Sequence, residues 1–105
     1  MNVFTKKASD EIKKIHRLSR HCNGKEKKKH EKKLLTLMRK HVDEIEGLYQ
    51  NKDKHFLIET GDLIILCLEM FLENKVSADQ VMEQCFNRYQ KKLKSLMRKS
   101  KDEKS

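Results

Sequence analysis

From Leu63 to Leu72 the chain reads Leu-Ile-Ile-Leu-Cys-Leu-Glu-Met-Phe-Leu, a run broken by one charge. Proline is absent and glycine occurs three times, a composition that favours helices over short strands and their turns. The run is therefore expected to be a helix that is apolar nearly all round, and such a helix has to be surrounded. A chain of 105 residues, 39% charged and 36% apolar, has little with which to surround it. The expected fold is a single all-α domain over residues 1–105, a four-helix, bundle-like unit completed by oligomerisation as a homodimer or homotetramer. The apolar run is too short to cross a bilayer, so no membrane partner is expected.

Helical periodicity divides the rest. Phe4, Ala8, Ile12, Ile15 and Leu18 predict a first helix over about residues 3–21, ended by Asn23-Gly24. Lys25 to Lys33 is nearly all charged and reads either as a loop or as the solvated first turns of a second helix. From Leu34 the stripe Leu34, Leu35, Met38, Val42, Ile45 and Tyr49 carries that helix to about Asn51. Asp53 is the expected N-cap of the third helix, which runs to about Asn74. Ser77 and Gln80 form a capping box for the fourth, which carries Val81, Cys85, Phe86, Tyr89 and Leu93 before a tail expected to fray from Lys99.

The net charge of +9 is unevenly placed. Residues 1–41 hold 14 Lys/Arg against 4 Asp/Glu, residues 42–83 hold 3 against 10, and residues 84–105 hold 8 against 2. An acidic middle between basic ends suits a metal-bound polyphosphate, and basic stretches also track a nucleic-acid backbone. Cys22, Cys67 and Cys85 are odd in number and form no C-x-x-C pattern, and Met1 leads into lysines without an apolar leader. A cytoplasmic setting is expected. Cys67 and Cys85 fall in apolar stripes and read as small core residues. His16, His21 and Cys22 do not converge on one zinc ion at spacings of i, i+5 and i+6.

Within the acidic middle stand Asp43-x-x-Glu46 and Glu59-x-x-Asp62. An i, i+3 spacing projects both carboxylates of a pair from one helix face. A solvated charged face is the ordinary explanation. Glu59 and Asp62, however, open and interrupt an apolar helix, where acids need partners. A hard divalent cation would reconcile four facing carboxylates. Glu69, seven residues beyond Asp62, is about 10 Å further along the helix, which suits a supporting role or a salt bridge.

This acid pair, a polar turn and Glu59-Thr60-Gly61-Asp62-Leu63-Ile64 opening an apolar helix resemble the MazG-like all-α nucleoside triphosphate pyrophosphohydrolases. That superfamily also holds all-α dUTPase, dCTP pyrophosphatase and phosphoribosyl-ATP pyrophosphatase. Its signature is ExxE, a gap of about 12 to 28 residues, then ExxD. Asp43 departs from it where the family has Glu. The resemblance extends to residues 74–81 and to Asn87-Arg88-Tyr89, and covers about residues 34–93.

The resemblance implies Mg²⁺-dependent hydrolysis, with Mn²⁺ as a substitute, of a nucleoside triphosphate to the monophosphate and pyrophosphate. Asp43, Glu46, Glu59 and Asp62 would bind metal, with Glu46, Glu59 and Asp62 catalytic. Asn87, Arg88 and Lys91 would meet the substrate, although a solvated basic face is the ordinary explanation for Arg88 and, slightly more so, for Lys91. Two rival readings are a basic helical module binding nucleic acid, weakly and without sequence preference, or a protein, and a relative of the family that keeps only the scaffold.

Overall fold

The computed structural model describes residues 4–23 and 26–104, with side chains through Lys99. It is all-helical: α1 spans Lys6–Asn23, α2 Lys27–Gln50, α3 Phe56–Glu73 and α4 Ala78–Lys104, with no strand among the described residues. The charged stretch before Leu34 is thus the start of α2, and α4 continues through the tail expected to fray. Gly24, the expected stop after α1, lies outside the described residues.

A short turn folds α2 and α3 into an antiparallel hairpin, the main packing in the molecule. Its geometry is set by backbone bonds. Lys52 N–H donates to Tyr49 O (3.1 Å) and Asp53 N–H to Leu48 O (2.9 Å), a paired closure of the last turn of α2. The N-cap of α3 is His55, not Asp53; Asp53 acts one step earlier, its Oδ1 accepting from His55 N–H at 2.9 Å. The end of α3 repeats the closure, Lys75 N–H donating to Leu72 O and Val76 N–H to Phe71 O. Ser77 behaves as expected, its Oγ accepting from Gln80 N–H at 3.3 Å.

Both closures place a lysine in the left-handed region, Lys52 at φ 59° and Lys75 at φ 54°. A side chain with a Cβ is disfavoured there. Lys52→Gly and Lys75→Gly should each raise unfolding stability by about 0.5–1 kcal/mol in denaturant titration, because glycine meets no steric cost at these angles.

Helix α1 lies against the hairpin, chiefly along α3, without a fully buried residue of its own. Helix α4 makes no extended packing with the other three. Phe4 N–H donates to Asp79 Oδ1 at 3.3 Å, joining the segment before α1 to the first turn of α4. Beyond that turn Tyr89, Leu93, Leu96 and Met97 are each more than half exposed. The bundle within one chain is therefore three helices with α4 as an arm.

The buried set among the described residues is small and half polar: Leu34, Leu66 and Leu68 with His30, Glu69 and Glu73. The inward face of α2 follows His30, Leu34, Leu37, His41, Glu44 and Leu48, all buried or half-buried. The stripe through Leu35, Val42 and Tyr49 points outward instead. On α3, Leu57, Ile64 and Cys67 are exposed as well, so Cys67 is not a core residue. Its neighbours still desolvate the sulfur enough to push the thiol above its ordinary pKa.

Candidate metal centre

Two i, i+3 pairs meet across the α2–α3 hairpin. Helix α3 presents Glu59 and Asp62, as their spacing predicts. Helix α2 presents His41 and Glu44, two residues out of phase with the expected Asp43 and Glu46. Two residues turn an α-helix by about 200°, which carries Asp43 to the far side from His41. Asp43 and Glu46 are exposed, and Glu46 Oε1 accepts from Gln50 Nε2 at 3.5 Å. The acid pair of α2 is therefore a solvated face, and the converging pair is His41-x-x-Glu44.

His41 is oriented by its own helix. Its Nδ1 lies 2.9 Å from the Leu37 carbonyl, which can only accept, so Nδ1 carries a proton. In the neutral ring Nε2 is then a bare lone pair. It stands 3.3 Å from Glu59 Oε2 and 4.0 Å from Asp62 Oδ2. Glu59 Oε2 is buried without a hydrogen-bond partner. Its other oxygen lies 3.5 Å from Nε2 of exposed His55. His41, Glu44 and Glu59 each offer one ligand atom, all within 4.8 Å of one another. The Asp62 side chain, about half exposed (49%), forms the open edge.

Lone pairs facing across such distances repel unless a cation stands between them. His41, Glu44 and Glu59 are the residues that would hold a divalent ion here, with Asp62 at the edge, 4.0 Å from His41 Nε2. Oxygen donors alone suit Mg²⁺; the imidazole moves the preference toward Mn²⁺ and later transition metals.

The chain matches no family model, no curated protein and no solved structure. What the centre can do therefore rests on its own geometry and on the sequence resemblance.

The proposed substrate residues stand elsewhere. Asn87, Arg88 and Lys91 are exposed on α4, where Arg88 and Lys91 border an open concavity with Cys85, Tyr89 and Lys92. Within one chain the structure does not bring them to the acids of the hairpin. Glu69 Oε1 meets His16 Nδ1 in a hydrogen-bonded contact of 3.4 Å. His21 and Cys22 are exposed and take no part in that contact.

His41 and Glu44 lie outside the acid pairs that the sequence motif singles out. A usable signal was present: Leu34, Leu37, His41, Glu44 and Leu48 recur at helical spacing, with two polar residues inside an otherwise apolar phase.

Proposed function

We propose that this protein is a metal-dependent nucleotide pyrophosphohydrolase whose centre is His41, Glu44, Glu59 and Asp62. The observation that carries the reading is Glu59 Oε2, buried without a hydrogen-bond partner 3.3 Å from His41 Nε2, with Glu44 in the same cluster. The motif resemblance keeps only its Glu59-x-x-Asp62 half at this centre, since Asp43 and Glu46 face solvent. His41-x-x-Glu44 precedes Glu59-x-x-Asp62 with fourteen residues between the pairs, and has His where the family has Glu.

A bound dication would polarise phosphate oxygens and acidify a water ligand. The chain's own contribution is to hold the donors: the Leu37 carbonyl fixes the His41 ring, and the hairpin fixes the two pairs against each other. In this reading Glu59 accepts the proton of an attacking water, its other oxygen lying 3.5 Å from Nε2 of exposed His55.

The same proposal includes a second copy. The outward seam of α2, Leu35, Met38, Val42, Ile45 and Tyr49, alternates spacings of three and four, the pattern of helices that pack knobs into holes. A partner's α4 laid across the hairpin would bring Asn87, Arg88 and Lys91 to the phosphates. We place the protein in a reducing cytoplasm, which its three free cysteines suit. Among the described residues no helix is long and apolar enough to cross a membrane.

The test is a screen of ribo- and deoxynucleoside triphosphates with Mg²⁺, Mn²⁺ or chelator. Pyrophosphate should appear with Mn²⁺ at least as fast as with Mg²⁺, and not with chelator. Failure to hydrolyse any nucleotide with either ion would refute the assignment.

A basic surface independently favours a weak nucleic-acid contact: Lys27, Lys28, Lys29, Lys32 and Lys33 are all exposed along the first turns of α2. Replacing all five with Gln should abolish salt-sensitive binding in a filter assay while leaving hydrolysis unchanged. Salt-resistant binding to one sequence would instead indicate base readout.

A further inference from the structure

At the other end of the hairpin, α1 closes over a second polar cluster, separate from the proposed hydrolytic centre. Glu69 begins this cluster seven residues beyond Asp62, about 10 Å along α3, too far for the two to share one ion. The cluster contains His16, Arg20, His30, Glu69 and Glu73. His30 is fully buried, and Glu69 and Glu73 are 2% and 6% exposed.

The contacts of the cluster run between the three helices. Arg20 holds Glu73 by two bonds, Nε to Oε1 at 2.8 Å and Nη2 to Oε2 at 3.2 Å. His16 Nε2 lies 3.0 Å from the same Glu73 Oε1, and a carboxylate fixed by a guanidinium can only accept. His16 Nδ1 is hydrogen-bonded to Glu69 Oε1 at 3.4 Å, with the donor set by the ring's tautomer; with Nδ1 on a metal, the Nε2 proton would face Glu73. His30 Nε2 stands 3.9 Å from Glu69 Oε1 and 3.5 Å from Glu73 Oε1, yet neither of its nitrogens has a hydrogen-bond partner. The two rings meet edge to face with centroids 5.3 Å apart.

A fully buried imidazole with both nitrogens lacking a hydrogen-bond partner is costly, and Arg20 pairs with Glu73, leaving the buried Glu69 to the histidines. We infer that His16, His30 and Glu69 form a binding site for a transition-metal dication of the Zn²⁺ class. Ligand atoms from these three residues lie within 4.8 Å of one another. A tetrahedral ion with bonds of about 2.0–2.1 Å sets its ligands about 3.4 Å apart, so the observed 3.4 and 3.9 Å need only small side-chain movements. Two imidazoles select such a metal over Mg²⁺. Glu73 is the supporting carboxylate, orienting His16 through the ring nitrogen that does not bind metal. The ion would tie α1, which buries no residue of its own, to both helices of the hairpin. A proton shared between the histidines is the competing occupant, and metal titration separates the two.

The experiment uses the full chain stripped of metal, in the parent and in Glu59→Gln, which weakens the other centre. Calorimetry with Zn²⁺ should find one tight site in Glu59→Gln, and Co²⁺ should give the intense visible bands of a tetrahedral site with nitrogen ligands. His16→Ala and Glu69→Gln, each added to Glu59→Gln, should abolish that binding with helical circular dichroism retained. Glu73→Gln should weaken it about 10–100-fold. Melting temperature should rise with Zn²⁺ in Glu59→Gln and not after His16→Ala. No tight Zn²⁺ site in Glu59→Gln, or binding indifferent to both His16→Ala and Glu69→Gln, would overturn the proposal whether or not the chain hydrolyses nucleotides.

Discussion

Glu59→Gln is expected to reduce metal-dependent nucleotide hydrolysis by about 10²–10⁴-fold, the equivalent of the several kcal/mol that a metal centre supplies to a transition state. The change keeps side-chain volume but removes the charge on the carboxylate that faces both His41 and His55. His41→Ala and Glu44→Gln should produce losses of the same order. Asp43→Asn and Glu46→Gln should stay within about threefold of the parent, because exposed substitutions cost only a few tenths of a kcal/mol. Initial rates of pyrophosphate release across the five variants provide the measurement. A large loss in Asp43→Asn with none in His41→Ala would move the centre to the outer face of α2.

Val42→Lys should convert the protein from an oligomer to a monomer. Val42 is 49% exposed and occupies the middle of the outward seam of α2. In a two-fold interface each substitution acts twice, and losing about 1.5–3 kcal/mol of side-chain burial per copy weakens association by about 10²–10⁴-fold. Light scattering at micromolar concentration should report at least a dimer for the parent and one chain for Val42→Lys. Ile64→Lys probes the outer face of α3 in the same way. A parent that is already a stable, cooperatively unfolding monomer would remove the oligomer from the proposal.

Four helices were legible because periodicity, the scarcity of glycine and the absence of proline all agree, and Ser77 marks the start of α4 by its side-chain chemistry. The phase of α2 was not legible. Leu35, Val42 and Tyr49 are as apolar as Leu34 and Leu37, so summed hydrophobicity pointed outward while the inward face carried His30, His41 and Glu44. The motif on α3 was legible because Glu59 and Asp62 interrupt an apolar run and have no rival phase. Asp43 and Glu46, which have the spacing and charge of the expected motif, turn to solvent, while His41 and Glu44 face α3. The buried cluster was hidden for another reason: His16, His30 and Glu69 come from three helices, and no local spacing links them.

The turn between α2 and α3 holds no ligand of the proposed hydrolytic centre, yet it sets the rotation of that centre. Lys52 and Asp53 close back on Tyr49 and Leu48, and the Asp53 side chain picks up the His55 amide at the entry to α3. Every residue added there would turn α3 by about 100° before the helix is re-engaged, swinging Glu59 and Asp62 off His41 and Glu44. Loop length is thus a chemical variable in this chain. Residues 51–55 act as a phase ruler between the two proposed half-sites.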